Sequence, residues 1–170
     1  MVEYEFRPAR VQDVERIVEI IREAQRRLAA SGIDQWQNGY PNRPRVEEDI
    51  ARGYGRVLTL DGEVVSYGAL VWDGERAYDN LQGGRWITPV NSHYLTIHRL
   101  CVAEMVVGKG YGRGFMVAAE REAIERGVSS VRVDTHPHNL TMQGLIGSLG
   151  YLYCGTVVYE SLRLAYEKAL

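Results

Sequence analysis

No apolar run in this chain approaches ~20 residues, so no segment is expected to span a bilayer. Charge of one sign is also in short supply. Twenty basic against 22 acidic residues leave a net charge of −2, which gives no bulk attraction to nucleic acid or to an anionic membrane. The opening Met1-Val2-Glu3-Tyr4-Glu5-Phe6-Arg7 has no signal-peptide character. Cysteine is scarce, and Cys101 and Cys154 both fall in apolar strand-like runs. They read as buried thiols in a reducing cytoplasm, with a disulfide or a reactive thiol as alternatives. There are no repeats, low-complexity segments or linkers. The expectation is one cytoplasmic domain over residues 1–170, long enough to bury about 70% of its unfolded surface.

Glycine is plentiful and concentrated. Val107-Gly108-Lys109-Gly110-Tyr111-Gly112-Arg113-Gly114 follows the strand-like run 98–103 and opens a helix-like run from Phe115 to Arg126. Strand, glycine turn and helix N-terminus together form an anion site. Glycine admits positive φ and close backbone approach, and successive N–H groups then converge on a phosphate. Lys109 and Arg113 add charge. The loop is not a P-loop, because position 103 is Ala and no Ser or Thr follows Lys109. The dinucleotide pattern fails twice, at Arg113 and at Phe115.

Elsewhere, residues 4–7 read as a strand, and Val11 to Ala30 as a helix with Val14, Ile17, Val18, Ile21, Ala24 and Leu28 on one face. Residues 33–45 form an irregular, polar and aromatic loop of the kind that carries function. Val46 to Gly53 reads as a short helix. Arg56 to Leu60 and Glu63 to Trp72 read as strands turned at Asp61-Gly62, and Tyr94 to Ala103 as a long strand. After the glycine loop come a strand at 131–135, a helix from Leu140 to Leu149 with Asn139 as N-cap and Gly150 at its end, and a strand from Leu152 to Tyr159. The tail from Ser161 reads as a short strand or turn. The order βα(α)ββββαβαβ predicts an α/β (α+β) fold, with a mixed sheet and helices on both faces.

These residues resemble the GNAT superfamily of acyl-CoA-dependent N-acetyltransferases, from Phe6 to about Tyr159. The carriers are the opening Phe6-Arg7-Pro8-Ala9-Arg10 with Asp13; Leu100 and Val102 with the loop Gly108 to Gly112; and Asn139 followed eleven residues on by Gly150-Tyr151. Asp34-Gln35-Trp36, Tyr40-Pro41, Ile97-His98-Arg99, Asp134-Thr135-His136 and Met142 look like a bacterial small-molecule branch. The resemblance implies a mostly antiparallel central sheet, acetyl-CoA as co-substrate without a metal, and a primary amine of a small-molecule or amino-acid-like acceptor that attacks directly in a ternary complex. It implies a donor site at Leu100, Cys101, Val102, Val107, Gly108, Lys109, Gly110, Tyr111, Gly112, Arg113 and Asn139. The backbone at 100–102 would pair with the pantetheine arm and offer an N–H to the thioester oxygen, leaving the Leu100 and Val102 side chains for the core.

His98 is the candidate general base and His136 a second candidate base or substrate contact. Trp36, Tyr40 and Trp86 are candidates for the acceptor wall, with anchoring of the loop on the core as the alternative for the first two. Asp34 and Glu48 are further cation-binding candidates, and Asp134 reads as a local partner.

Two departures stand out. Val107 occupies a position where the family has Arg or Gln. Ile146 occupies the place, seven residues after the Asn, where many members carry a Tyr that protonates the leaving thiolate. Tyr151, Tyr153, Tyr159 or water are the available substitutes. Both departures leave open a non-catalytic acyl-CoA-binding sensor on the same fold. A metal site at His136, His138 and Cys154 lacks zinc spacing, and nothing marks Cys101 as a nucleophile. Strand edges in this fold often pair, so a homodimer is a further expectation.

Overall fold

The computed structural model describes residues 4–170. Its strands are β1 (Tyr4–Pro8), β2 (Gly55–Leu60), β3 (Glu63–Val71), β4 (Tyr94–Val102), β5 (Ser130–Thr135), β6 (Leu152–Val158) and β7 (Leu162–Ala169). Its α-helices are α1 (Val14–Ala30), α2 (Arg43–Ala51), α3 (Tyr111–Glu125) and α4 (Leu140–Ser148). The strand order is β1-β2-β3-β4-β5-β7-β6. The β4–β5 pair is parallel, whereas β1–β2, β2–β3, β5–β7 and β7–β6 are antiparallel. This is the mixed, mostly antiparallel sheet that the sequence predicts. By contacts the chain divides into two compact units, Met1–Leu70 with His98–Ala118, and Val71–Ile97 with Ala119–Leu170.

In the first unit, β2 and β3 meet at Asp61 and Gly62, with φ 49 and 84. Two left-handed residues make the turn whose twist matches a hairpin. Helix α1 buries Val14, Ile17, Val18, Ile20, Ile21 and Ala24. Ile20 widens the stripe beyond the face read from the sequence, and each large apolar side chain contributes about 1.5–3 kcal/mol. The helix proper starts at Val14, because Val11–Asp13 forms a 3-10 turn.

Asp13 anchors that turn. It accepts two bonds from Arg7, at 2.8 and 3.0 Å, and one from the Arg10 N–H at 2.7 Å. Burial pushes the carboxyl up, but these donors outweigh it and hold it below the usual range. Helix α2 begins at Arg43, three residues before the sequence reading. Asn42 caps it by accepting the Arg45 N–H, and Pro44 sits in its first turn. The core of this unit joins the α1 face to Val46, Val57, Val64, Val65, Tyr67, Cys101, Ala103 and Val106. Phe115 packs edge-on to Phe6 with centroids 5.2 Å apart, and a Cβ on Gly68 would lie 2.6 Å from the Phe115 ring.

In the second unit, β7 runs antiparallel to β5 along all of β5 and to β6 on its other side. The tail read as a short strand or turn is therefore an eight-residue internal strand. Its signal is hidden because a buried position carries Glu167, fully enclosed. Ser130 Oγ and Thr88 Oγ1 each donate to Glu167 Oε1 at 2.5 Å, Arg132 Nε donates at 3.0 Å, and the Ile87 N–H reaches Oε2 at 2.5 Å. Burial raises the Glu167 carboxyl, but these donors more than offset it and leave it lowered.

The strands read from the sequence between the second helix and the glycine loop, 56–60, 63–72 and 94–103, are the three of the structure, one fewer than the four in the written order. Residues 73–93 instead hold a 3-10 turn at Arg76–Asn80 and a single antiparallel bridge, Gln82↔Thr156, on β6. Two glycines allow that close approach. A Cβ on Gly84 would lie 1.9 Å from the Cys154 carbonyl oxygen, and one on Gly155 would lie 2.4 Å from that of Gln82. Among the described residues no helix is long and apolar enough to cross a membrane.

Candidate active site

The first unit carries the end of β4 and the glycine loop. A 3-10 turn at Glu104–Val106 ends β4's run, and the Lys109 N–H closes onto Val106 O at 3.1 Å. Gly108 and Gly110 take φ 77 and 88, and a Cβ on either would meet nothing within 4 Å. Conformation, not crowding, demands glycine there, and the space above the loop is open. Helix α3 begins at Tyr111, four residues before the sequence reading, because Gly112 and Gly114 blur its periodicity. Its first backbone bond is Gly114 N–H to Gly110 O at 2.9 Å. The N–H groups of Tyr111 and Gly112 precede that bond, as the first amides of a helix do. They carry the positive end of the helix dipole. The Lys109 amide is thus committed inward, and the anion-facing amides are those of the first turn. Val107, Lys109 and Arg113 are exposed. Tyr111 packs edge-on to Tyr4 with centroids 6.0 Å apart, so its ring is structural.

On β4, His98, Leu100 and Val102 are half-buried, and Arg99 and Cys101 are buried. The sequence expects Leu100 and Val102 in the core. The structure buries Cys101 there, half-buried Val102 packs against the same core, and Leu100 is half-buried. Burial pushes the Cys101 thiol up to about 12, so it stays protonated and is no nucleophile. Arg27 reaches from α1 to Val102 O at 2.8 Å.

Arg99 is the centre of a buried network that the sequence does not reveal. Its Nε and Nη2 donate to Asp49 of α2 at 2.9 and 2.6 Å. Tyr67 of β3 donates to the same carboxylate at 2.5 Å. Arg99 Nη1 donates to the Tyr40 hydroxyl at 2.9 Å. Burial and the Asp49 charge push the Tyr67 phenol well above its usual range. The only signal in the sequence is a charged residue placed inside an apolar strand.

Around Tyr40, Gln25 donates to the Tyr40 and Pro41 carbonyls at 3.2 Å, and Gln37 donates to Gln25 O at 3.0 Å. Trp36, at φ 63, packs on the first unit's core, while Tyr40 is exposed. Glu48 is matched by Arg45 and Arg52, at 2.9 and 3.1 Å, and Asp34 is exposed.

The second unit carries His136, Asn139 and Trp86. Asp134, at the end of β5, accepts the hydroxyls of Tyr78 and Tyr159 at 2.7 and 3.0 Å. Burial first, and then the Asp134 charge, raises both phenols. His136 Nδ1 accepts the His138 N–H at 3.0 Å. A neutral ring so held carries its proton on Nε2 and presents a donor there. Asn139 caps α4 by accepting the Met142 N–H at 3.1 Å. Trp86 donates to Tyr78 O at 2.9 Å, and the Arg132 guanidinium lies 4.2 Å from its ring centroid. Ile146 is buried in α4. Tyr151 donates to Glu120 at 3.0 Å. Among the described residues no group of three or more His, Cys, Asp or Glu is placed to hold a metal ion.

Sheet order, glycine loop and helix start together define an acyl-transfer fold, and comparison with known proteins agrees. The chain belongs to the Acetyltransferase (GNAT) family, whose pattern it matches over residues 15–151, and it is an acetyltransferase of that family. It is 35% identical to a GNAT-family acetyltransferase from Streptococcus agalactiae, with a TM-score of 0.90 over 98% of this chain and 95% of that one. Two more distant structures share the fold. One is yncA from Salmonella typhimurium, solved with its cofactor acetyl-CoA, at 19% identity and a TM-score of 0.65 over 98% of this chain and 94% of that one. The other is the PaiA N-acetyltransferase from Thermoplasma acidophilum in complex with coenzyme A, at 18% identity and 0.73 over 99% of each chain. No curated protein matches the chain.

Proposed function

We propose that this acetyltransferase takes its acetyl group from acetyl-CoA and delivers it to a primary amine of a small molecule, by direct attack in a ternary complex. The observation that carries the donor half is the open turn at Gly108 and Gly110 leading straight into the first turn of α3. A helix N-terminus behind a glycine turn with open space at both Cβ positions suits a diphosphate, and the structures of the same fold solved with acetyl-CoA and coenzyme A support that choice. When bound, the co-substrate supplies an activated acyl thioester. The chain's own residues do the rest. The first-turn amides of α3 hold the phosphates, with Lys109 and Arg113 adding charge. The backbone of Leu100 to Val102 pairs with the amide-bearing arm and offers an N–H to the acyl carbonyl. His98, half-buried on the same strand, takes the proton that an alkylammonium must lose near neutral pH. Trp36 fixes the 33–42 loop on the core, and Tyr40 faces the acceptor.

Titration calorimetry with CoA and free-thiol release from acetyl-CoA over an amine panel test this reading. Micromolar CoA uptake with amine-dependent thiol release is the expected result. Uptake with no release on any amine would favour a sensor, and no uptake would overturn the donor site.

A further inference from the structure

Arg99 sits inside β4 with φ 58, a conformation that crowds an L side chain against its own carbonyl. A left-handed residue within a strand marks a bulge, which breaks the ladder and turns the next peptide out of it. Arginine is not a residue type that visits this backbone readily, so the conformation has to be held from outside. The clamp is present. Asp49 grips the guanidinium with two parallel bonds, and the Tyr67 hydroxyl fixes the carboxylate. The Arg99 and Asp49 side chains are 5% and 2% exposed, so water does not compete. A buried ion pair of this kind is often no more stabilising than a well-packed apolar pair. Global stability therefore does not account for it, whereas a fixed local conformation does.

We infer that Asp49 and Tyr67 are positioning residues: they hold the Arg99 guanidinium so that β4 keeps its bulge and the Leu100 amide stays turned toward the acyl carbonyl. The inference rests on the reading that the Leu100–Val102 backbone meets the thioester. Through its third bond, to Tyr40, the same guanidinium ties the 33–42 loop to the bulge.

Two double variants separate conformation from charge. Arg99→Gly with Asp49→Asn removes the clamp but leaves a residue that takes positive φ freely. Arg99→Leu with Asp49→Asn removes the same charges and disfavours that backbone. Both are expected to bind CoA by calorimetry, and the glycine variant's kcat should exceed the leucine variant's by tenfold or more at similar KM for acetyl-CoA, on the order of a displaced oxyanion donor. Without ligand, amide exchange at residues 98–102 should be faster in the leucine variant than in wild type.

Equal kcat in the two variants, or wild-type exchange in the leucine variant, would overturn the clamp. Should either double variant fail to fold, Tyr67→Phe decides: a lowered kcat at unchanged KM supports the clamp, and an unchanged kcat refutes it. Failure of wild type to bind CoA would remove the donor site itself and this proposal with it, a result distinct from binding without the kcat difference.

Discussion

At the scale of single residues, the chemistry concentrates on β4. His98 is half-buried there beside a guanidinium that stays charged: burial opposes its protonation, but the bonds to Asp49 and Tyr40 raise its pKa overall. His98→Gln keeps a hydrogen-bonding group of similar reach and removes the base. We expect kcat to fall by about 10²–10³ with little change in CoA affinity. An unchanged kcat, measured as thiol release, removes His98 from the mechanism. His136 carries the opposite expectation. With Nδ1 already accepting the His138 N–H, it offers a donor, so His136→Asn should change the acceptor KM more than kcat. Sequence spacing puts His98 on a strand and His136 just past the end of the next one but cannot tell a base from a donor. That distinction rests on which nitrogen a neighbouring amide already occupies.

At the scale of elements, what the sequence shows depends on whether apolar periodicity or buried polarity shapes each piece. The α1 stripe and the Asp61-Gly62 hairpin are plain in the sequence because apolar spacing and turn chemistry act locally. The glycine loop is plain for the same reason. Strand β7 is not, because Glu167 occupies a core position and its donors lie on distant segments. The Arg99 clamp is hidden likewise, since Asp49 and Tyr67 are remote in sequence from Arg99 and from each other. Helix α3 offers a test of packing. Gly68 leaves room for the Phe115 ring, which a methyl would contact at 2.6 Å. Gly68→Ala should destabilise the fold by about 1–3 kcal/mol, as overpacking does, read as a lowered midpoint in urea. An unshifted midpoint would mean that the ring moves aside freely.

At the scale of the whole molecule, acid is the predicted weakness. The Asp13 and Glu167 carboxyls are both lowered below their ordinary values. In the window just below those values the unfolded chain binds protons that the native chain refuses, so stability falls as pH falls. The contribution should be complete above about pH 5 and be lost progressively as pH falls through the lowered values, and Glu167→Gln should remove part of that slope in thermal melts taken across it. A slope identical to wild type would mean that the Glu167 network does not set acid tolerance. A different kind of safeguard lies at β6, an outer strand of the sheet order. Gln82 bridges Thr156 there, and Gly84 fits against Cys154 only because it has no side chain. That strap occupies backbone groups which would otherwise template a foreign strand, so the chain is shielded at that margin from growing into filaments at high concentration.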